Sequence, residues 1–128
     1  MPARRKQIKI KPMTNISEII ISAIQDKKGH DIKEIDLSKV DGAPCQQFLV
    51  CTGNSTTQVS AIADNVREEV QKQAGEKPIN YDGYRNSQWI VVDYGDIMLH
   101  VFLPDTRSFY RLEQLWSDAP TRDIPDPE

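Results

Sequence analysis

The stretch that decides the reading runs from Gln88 to Trp116: Q-W-I-V-V-D-Y-G-D-I-M-L-H-V-F-L-P-D-T-R-S-F-Y-R-L-E-Q-L-W. Two apolar runs, Trp89–Val92 and Ile97–Leu103, flank Asp93-Tyr94-Gly95-Asp96. Runs rich in Ile, Val, Phe and Trp joined by a short segment with a glycine read as a β-hairpin. Gly95 is the natural turn residue, since it reaches positive φ without a Cβ clash. Pro104 ends the second strand because it has no N–H for the ladder. Asp105 or Thr106 is then placed to cap a helix with Phe109, Leu112 and Leu115/Trp116 along one side.

Side chains alternate along a strand, and an even loop keeps the parity. Ile90 and Val92 therefore share a face with Ile97, Leu99, Val101 and Leu103, an aliphatic core face. The opposite face carries Trp89, Val91, Asp93, Met98, His100 and Phe102. A Trp, a His and an Asp among apolar residues mark either a face covered by a helix or a partner surface. The aromatics point the same two ways. Six of the nine fall in this segment: Trp89, Tyr94, Phe102, Phe109, Tyr110 and Trp116. Phe109 reads as core packing, whereas Trp89, Tyr110 and Trp116 fit a core or an interface equally well.

Upstream, Asn15 with Glu18 makes a capping-box start for a helix through Ile16, Ile19, Ile20, Ala23 and Ile24, stopped near Gly29. Ile32–Leu37 is a short strand. Phe48-Leu49-Val50-Cys51 is a continuous apolar run suited to a central strand buried on both faces. Ser55 with Gln58 opens a second helix, with Val59, Ile62, Ala63, Val66 and Val70 as its core stripe and an end near Ala74-Gly75. Ile79-Asn80-Tyr81 is a short edge strand. The order α-β-β-α-β-β-β-α gives an α/β sandwich, a mixed sheet of about five strands flanked by helices. Residues 1–13 read as a flexible basic arm, 14–117 as the domain, and 118–128, with three prolines and four acids, as a disordered tail.

With 128 residues, the chain has room for one domain and one modest core. No apolar run reaches the ~20 residues that span a membrane. The basic N-terminus has no apolar h-region behind it, so a cytoplasmic location is expected. Cys45 and Cys51 fit neither a zinc set nor a disulfide framework. Charge is uneven: +5 in Met1–Lys11, −5 in Pro12–Trp116 and −3 in Ser117–Glu128. An acidic body argues against nucleic-acid binding by the folded part and suits a basic protein partner. The arm alone could touch RNA phosphates, or serve as a solubilising leader.

The motif W-I-V-V-D-Y-G-D-I-M-L-H-V-F, followed by R-x-x-Y-x-L-E-x-L-W on Arg107, Tyr110, Leu112, Glu113, Leu115 and Trp116, closely resembles the ribosomal silencing factor family, RsfS or Iojap. The resemblance reaches back to about Ile16 and includes Val50-Cys51-Thr52-Gly53 and Asp82-Gly83. It implies a fold similar to the nucleotidyltransferase core. It also implies a non-enzymatic module that binds the large-subunit ribosomal protein L-fourteen, blocks subunit joining and lowers translation when nutrients are short. The residues assigned to that contact are Trp89, Asp93, Asp96, His100, Arg107, Tyr110, Glu113 and Trp116. No cofactor or metal is expected.

Three catalytic readings compete with that one. Thr52-Gly53-Asn54-Ser55 joins a strand to a helix and could hold phosphate. Nucleotidyl transfer, however, needs paired carboxylates for a metal, and only Asp64 follows, alone and mid-helix. Asp93 and Asp96 flank a turn and could share a proton or bind a cation, but aspartates are common at turns. His100 has only His30 for company and fits no Ser/Cys–His–acid order. A degenerate nucleotidyltransferase-like nucleotide binder is the alternative function, and a homodimer through the mixed face is a further possibility.

Overall fold

The most apolar run of the chain lies in the middle of the sheet. In the computed structural model, which describes residues 16–127, the elements are α1 (Ile16–Asp26), β1 (His30–Asp36), β2 (Gln47–Thr52), α2 (Thr56–Ala74), β3 (Asn80–Asp82), β4 (Trp89–Asp93), β5 (Ile97–Phe102), α3 (Pro104–Tyr110), α4 (Leu112–Leu115) and β6 (Thr121–Ile124). The strands form one sheet in the order β3-β4-β5-β2-β1-β6. β2 and β5 are parallel, with α2 in the crossover that parallel neighbours require, and every other pair is antiparallel. Phe48 through Thr52 are all buried, as a central strand covered on both faces demands.

Register explains the two faces. Ile90 pairs with Val101 and Val92 with Leu99. These four, with Leu49, Cys51 and Ile32, pack under α1 and α2 through Ile20, Ile24, Val59, Ile62 and Val66. On the other face Ile35, Phe48, Val50 and Phe102 pack against Leu37, Cys45, Leu112 and Ala119. The hairpin closes through Tyr94 N–H to the Ile97 carbonyl, leaving Gly95-Asp96 as the loop and Gly95 at φ +92.

α2 starts as expected: Ser55 Oγ accepts the Gln58 N–H at 3.1 Å. The Gln58 side chain goes further than a capping box requires. Its Oε1 accepts the Asn54 N–H, and its Nε2 donates to the carbonyls of Lys27 and Lys28, so it latches the end of α1 to the start of α2.

Two expectations are corrected. The sheet has six strands, because Thr121–Ile124 pairs antiparallel with β1. The segment 118–128 is therefore not a disordered tail as a whole, and the folded domain extends past residue 117. Ala119 is buried and Ile124 packs on the helix-side core. The charges that read as disorder lie along an edge strand and pair across it, Asp123 with Lys33 at 3.0 Å and Arg122 with Glu34. The single last helix is also wrong. It is two short helices broken at Arg111, which takes φ +50, and the first begins at Pro104 with Leu103 as a cap that contributes no side chain. Proline suits the first helical position because that N–H has no intrahelical partner. The basic arm, residues 1–13, and the Asn15 cap lie outside the described residues.

Candidate functional site

The covered half of the second sheet face lies over β1, β2 and β5. Toward the β4 end the cover stops. Trp89, Val91, Asp93 and Met98 stay half-exposed there, while the opposite face of the same strands is buried. The mixed face is thus partly packed and partly open, which joins the two alternatives left by the pattern.

His100 sits beneath this surface and is 4% exposed. Its Nδ1 accepts the Trp89 Nε1–H at 3.1 Å, which places the ring proton on Nε2. Phe48 lies edge-on at 4.5 Å. Burial among rings pushes its pKa down to about 4, so the imidazole is neutral. His100 is too deep to touch a partner and instead fixes the Trp89 indole. Trp89 in turn stacks on Phe102 at 4.8 Å and meets Tyr110 at 4.9 Å.

Arg107 and Glu113 are spent on the fold. Arg107 Nε and Nη2 both reach Glu113 Oε2, at 2.9 and 2.8 Å. Its Nη1 donates to the Asp31 carbonyl at 2.7 Å and to Thr52 Oγ1 at 2.8 Å. Trp116 is half-buried, edge-on to Phe48 at 6.0 Å. Asp93 is partly exposed, and its Oδ1 accepts the Gly95 N–H at 2.8 Å, a turn cap. Asp96 is exposed at the loop tip.

Two residues expected on the packed side of the last helix are at the surface: Phe109 is 77% exposed and Leu115 73%. Tyr110, which fits a core or an interface equally well by sequence, is 53% exposed. Phe109 meets Tyr110 edge-on at 5.0 Å. The surface is then a band. Phe109, Tyr110 and Trp89 lie at one end of β4, Val91 and Met98 in the middle, and Asp93 and Asp96 at the hairpin tip, about 13 Å of strand away.

The nucleotide-holding groups are engaged elsewhere. Ser55 Oγ caps α2, Thr52 Oγ1 takes Arg107, and Asn54 Oδ1 bonds His30 Nε2 at 2.9 Å. Asp64 is exposed and lies 3.8 Å from Arg67. Among the described residues no group of three or more His, Cys, Asp or Glu is placed to hold a metal, and no helix is long and apolar enough to cross a membrane. Burial pushes the Cys51 thiol up to about 12, which leaves it unreactive.

The family model described as ribosomal silencing factor during starvation matches residues 11–128. The chain belongs to the ribosomal silencing factor family. It is 37% identical to ribosomal silencing factor RsfS of Bacillus subtilis over 110 residues, covering 86% of this chain and 92% of that protein. It is 41% identical to RsfS of Chromobacterium violaceum over 101 residues, 79% of this chain and 81% of the relative. The chloroplastic protein Iojap of Zea mays matches at 36% identity, over 61% of this chain and 33% of the plant protein. A crystal structure from Chromobacterium violaceum superposes with a TM-score of 0.75 at 40% identity, covering 80% of this chain and 83% of the other. One from Bacillus halodurans gives 0.73 at 33% identity, covering 85% and 97%. The family resemblance of the motif and the α/β fold class both hold, with six strands in place of about five.

Proposed function

We propose that this silencing factor works without catalysis, by docking on the large ribosomal subunit through ribosomal protein L-fourteen. There it keeps the small subunit from joining and so represses translation under nutrient limitation, in the cytoplasm. The observation that carries the reading is the open band on β4 and α3. Exposed aromatic side chains beside acids on a rigid sheet suit a basic protein partner: complementary charge speeds encounter, and a few buried aromatics hold the complex.

The contact residues proposed are Trp89, Tyr110, Asp93 and Asp96 with Phe109, Leu115, Val91 and Met98. Arg107, Glu113, Trp116 and His100 act behind them. The basic arm adds a weak contact to rRNA phosphates. In the free protein the same apolar patch is available for a homodimer.

The test is co-sedimentation of the purified protein with isolated subunits. Migration with the large subunit alone is expected. Migration with the small subunit, or with neither, would refute the proposal.

A further inference from the structure

α3 presents a difficulty of its own. None of its residues is buried, yet it carries Phe109 and Tyr110 into solvent at a fixed angle. In α4 only Leu112 is buried. Apolar burial, which holds most helices in place, is nearly absent here. Beside the contact of the Tyr110 ring with Trp89, what remains is Arg107. Its side chain is only 11% exposed and makes four polar contacts to three separate parts of the fold. One is Glu113 in α4. A second is Thr52 at the end of central strand β2. The third is the carbonyl of Asp31, which stands where the β1–β2 register slips between His30 and Lys33 and takes φ +51. A bulge of this kind re-aims a backbone group. The Arg107 carbonyl also accepts the Arg111 N–H at 3.0 Å, at the left-handed residue that separates α3 from α4.

We infer that Arg107 is a positioning residue: its guanidinium ties the α3–α4 break to the rigid sheet and so sets the presentation of Phe109, Tyr110 and Leu115 to the partner. The inference rests on the proposed docking surface. Lysine cannot replace it, since one ammonium cannot reach Glu113, Thr52 and the Asp31 carbonyl in the planar fork that arginine supplies.

The experiment uses the full chain as Arg107→Ala, Arg107→Lys, Glu113→Gln and Tyr110→Ala. Two readouts are taken: amide hydrogen exchange along the chain, and affinity for isolated large subunits. In Arg107→Ala, exchange should accelerate across residues 104–116 while β2 and β5 stay protected, and affinity should fall by about tenfold or more. Arg107→Lys should recover a minor part, and Glu113→Gln, which keeps the fold and one hydrogen bond, should lie between. Wild-type exchange across 104–116 in Arg107→Ala would overturn the inference. So would wild-type affinity in Arg107→Ala beside a defective Tyr110→Ala, and that result would leave the docking surface standing. Wild-type affinity in Tyr110→Ala would overturn the surface itself and the positioning role with it. Loss of protection throughout β2 and β5 in every Arg107 and Glu113 variant would show a general fold support instead, and would also overturn the inference.

Discussion

At the scale of single residues, burial decides what a side chain is for. His100 was legible as a residue on the mixed face, packed or at an interface, but the choice between the two was not, because a strand pattern gives parity and not depth. Depth came in part from Phe48, fifty-two positions away in the chain, whose ring stands edge-on beside it on the neighbouring strand. Its pH behaviour follows. The folded pKa is lowered from 6.5 to about 4, so between those values the unfolded chain takes up a proton that the folded chain refuses. Stability contributed by neutral His100 is complete above pH 6.5 and is lost as pH falls toward 4. His100→Gln should flatten the stability profile across that window, by a few kcal/mol at most. An unchanged slope in denaturant titrations from pH 7 to 5 would show that the imidazole is hydrated. Gly83 gives a second prediction. It sits at φ +101, and a Cβ there would overlap the Trp89 carbonyl oxygen. Gly83→Ala should cost about 3 kcal/mol or more in a thermal or chemical melt, and a cost under about 1 kcal/mol would contradict this backbone packing.

At the scale of elements, the strong patterns were readable and the weak ones were not. The hairpin, central β2 and the capped α2 each agree at the levels of propensity, periodicity and turn chemistry, and all three stand. β6 failed because an edge strand of four residues, Thr-Arg-Asp-Ile, has the composition of a loop. Only its distant partner β1 makes it a strand. The consequence is that the tail, expected to be disordered, contributes to stability. Truncation after Trp116 removes Ala119 from one core, Ile124 from the other and the strand paired to β1. The melting temperature should drop by roughly 4–8 °C or more, on the scale of 1 kcal/mol or above. No shift would mean that β6 adds nothing to the fold. The break at Arg111 was hidden for a different reason. Arginine has no preference for positive φ, so no local pattern records the break. Reversing Glu113, which pairs with Arg107, would damage the fold as well as any contact, whereas Asp96, exposed at the hairpin tip, reports on partner charge alone.

At the scale of the whole molecule, the sheet offers one face to two helices and half of the other to solvent, and the open half is where aromatic and acidic side chains meet. The acidic balance of the body was visible from composition; the band was not, since it needs the register of β4 on β5 together with the exposed side of α3. In the proposed function this band keeps the ribosomal subunits apart. The most direct measurement is a subunit-joining assay with Phe109→Ala/Tyr110→Ala/Asp96→Lys, run beside a thermal melt. Removing exposed side chains and one exposed charge should cost the fold at most about 1 kcal/mol. Against a basic partner the same changes remove the anchors and introduce like-charge repulsion. The variant should melt normally and let the subunits join as if it were absent. A normally melting variant that still holds the subunits apart at wild-type concentration would contradict the proposed function of the band and place the interface on another face.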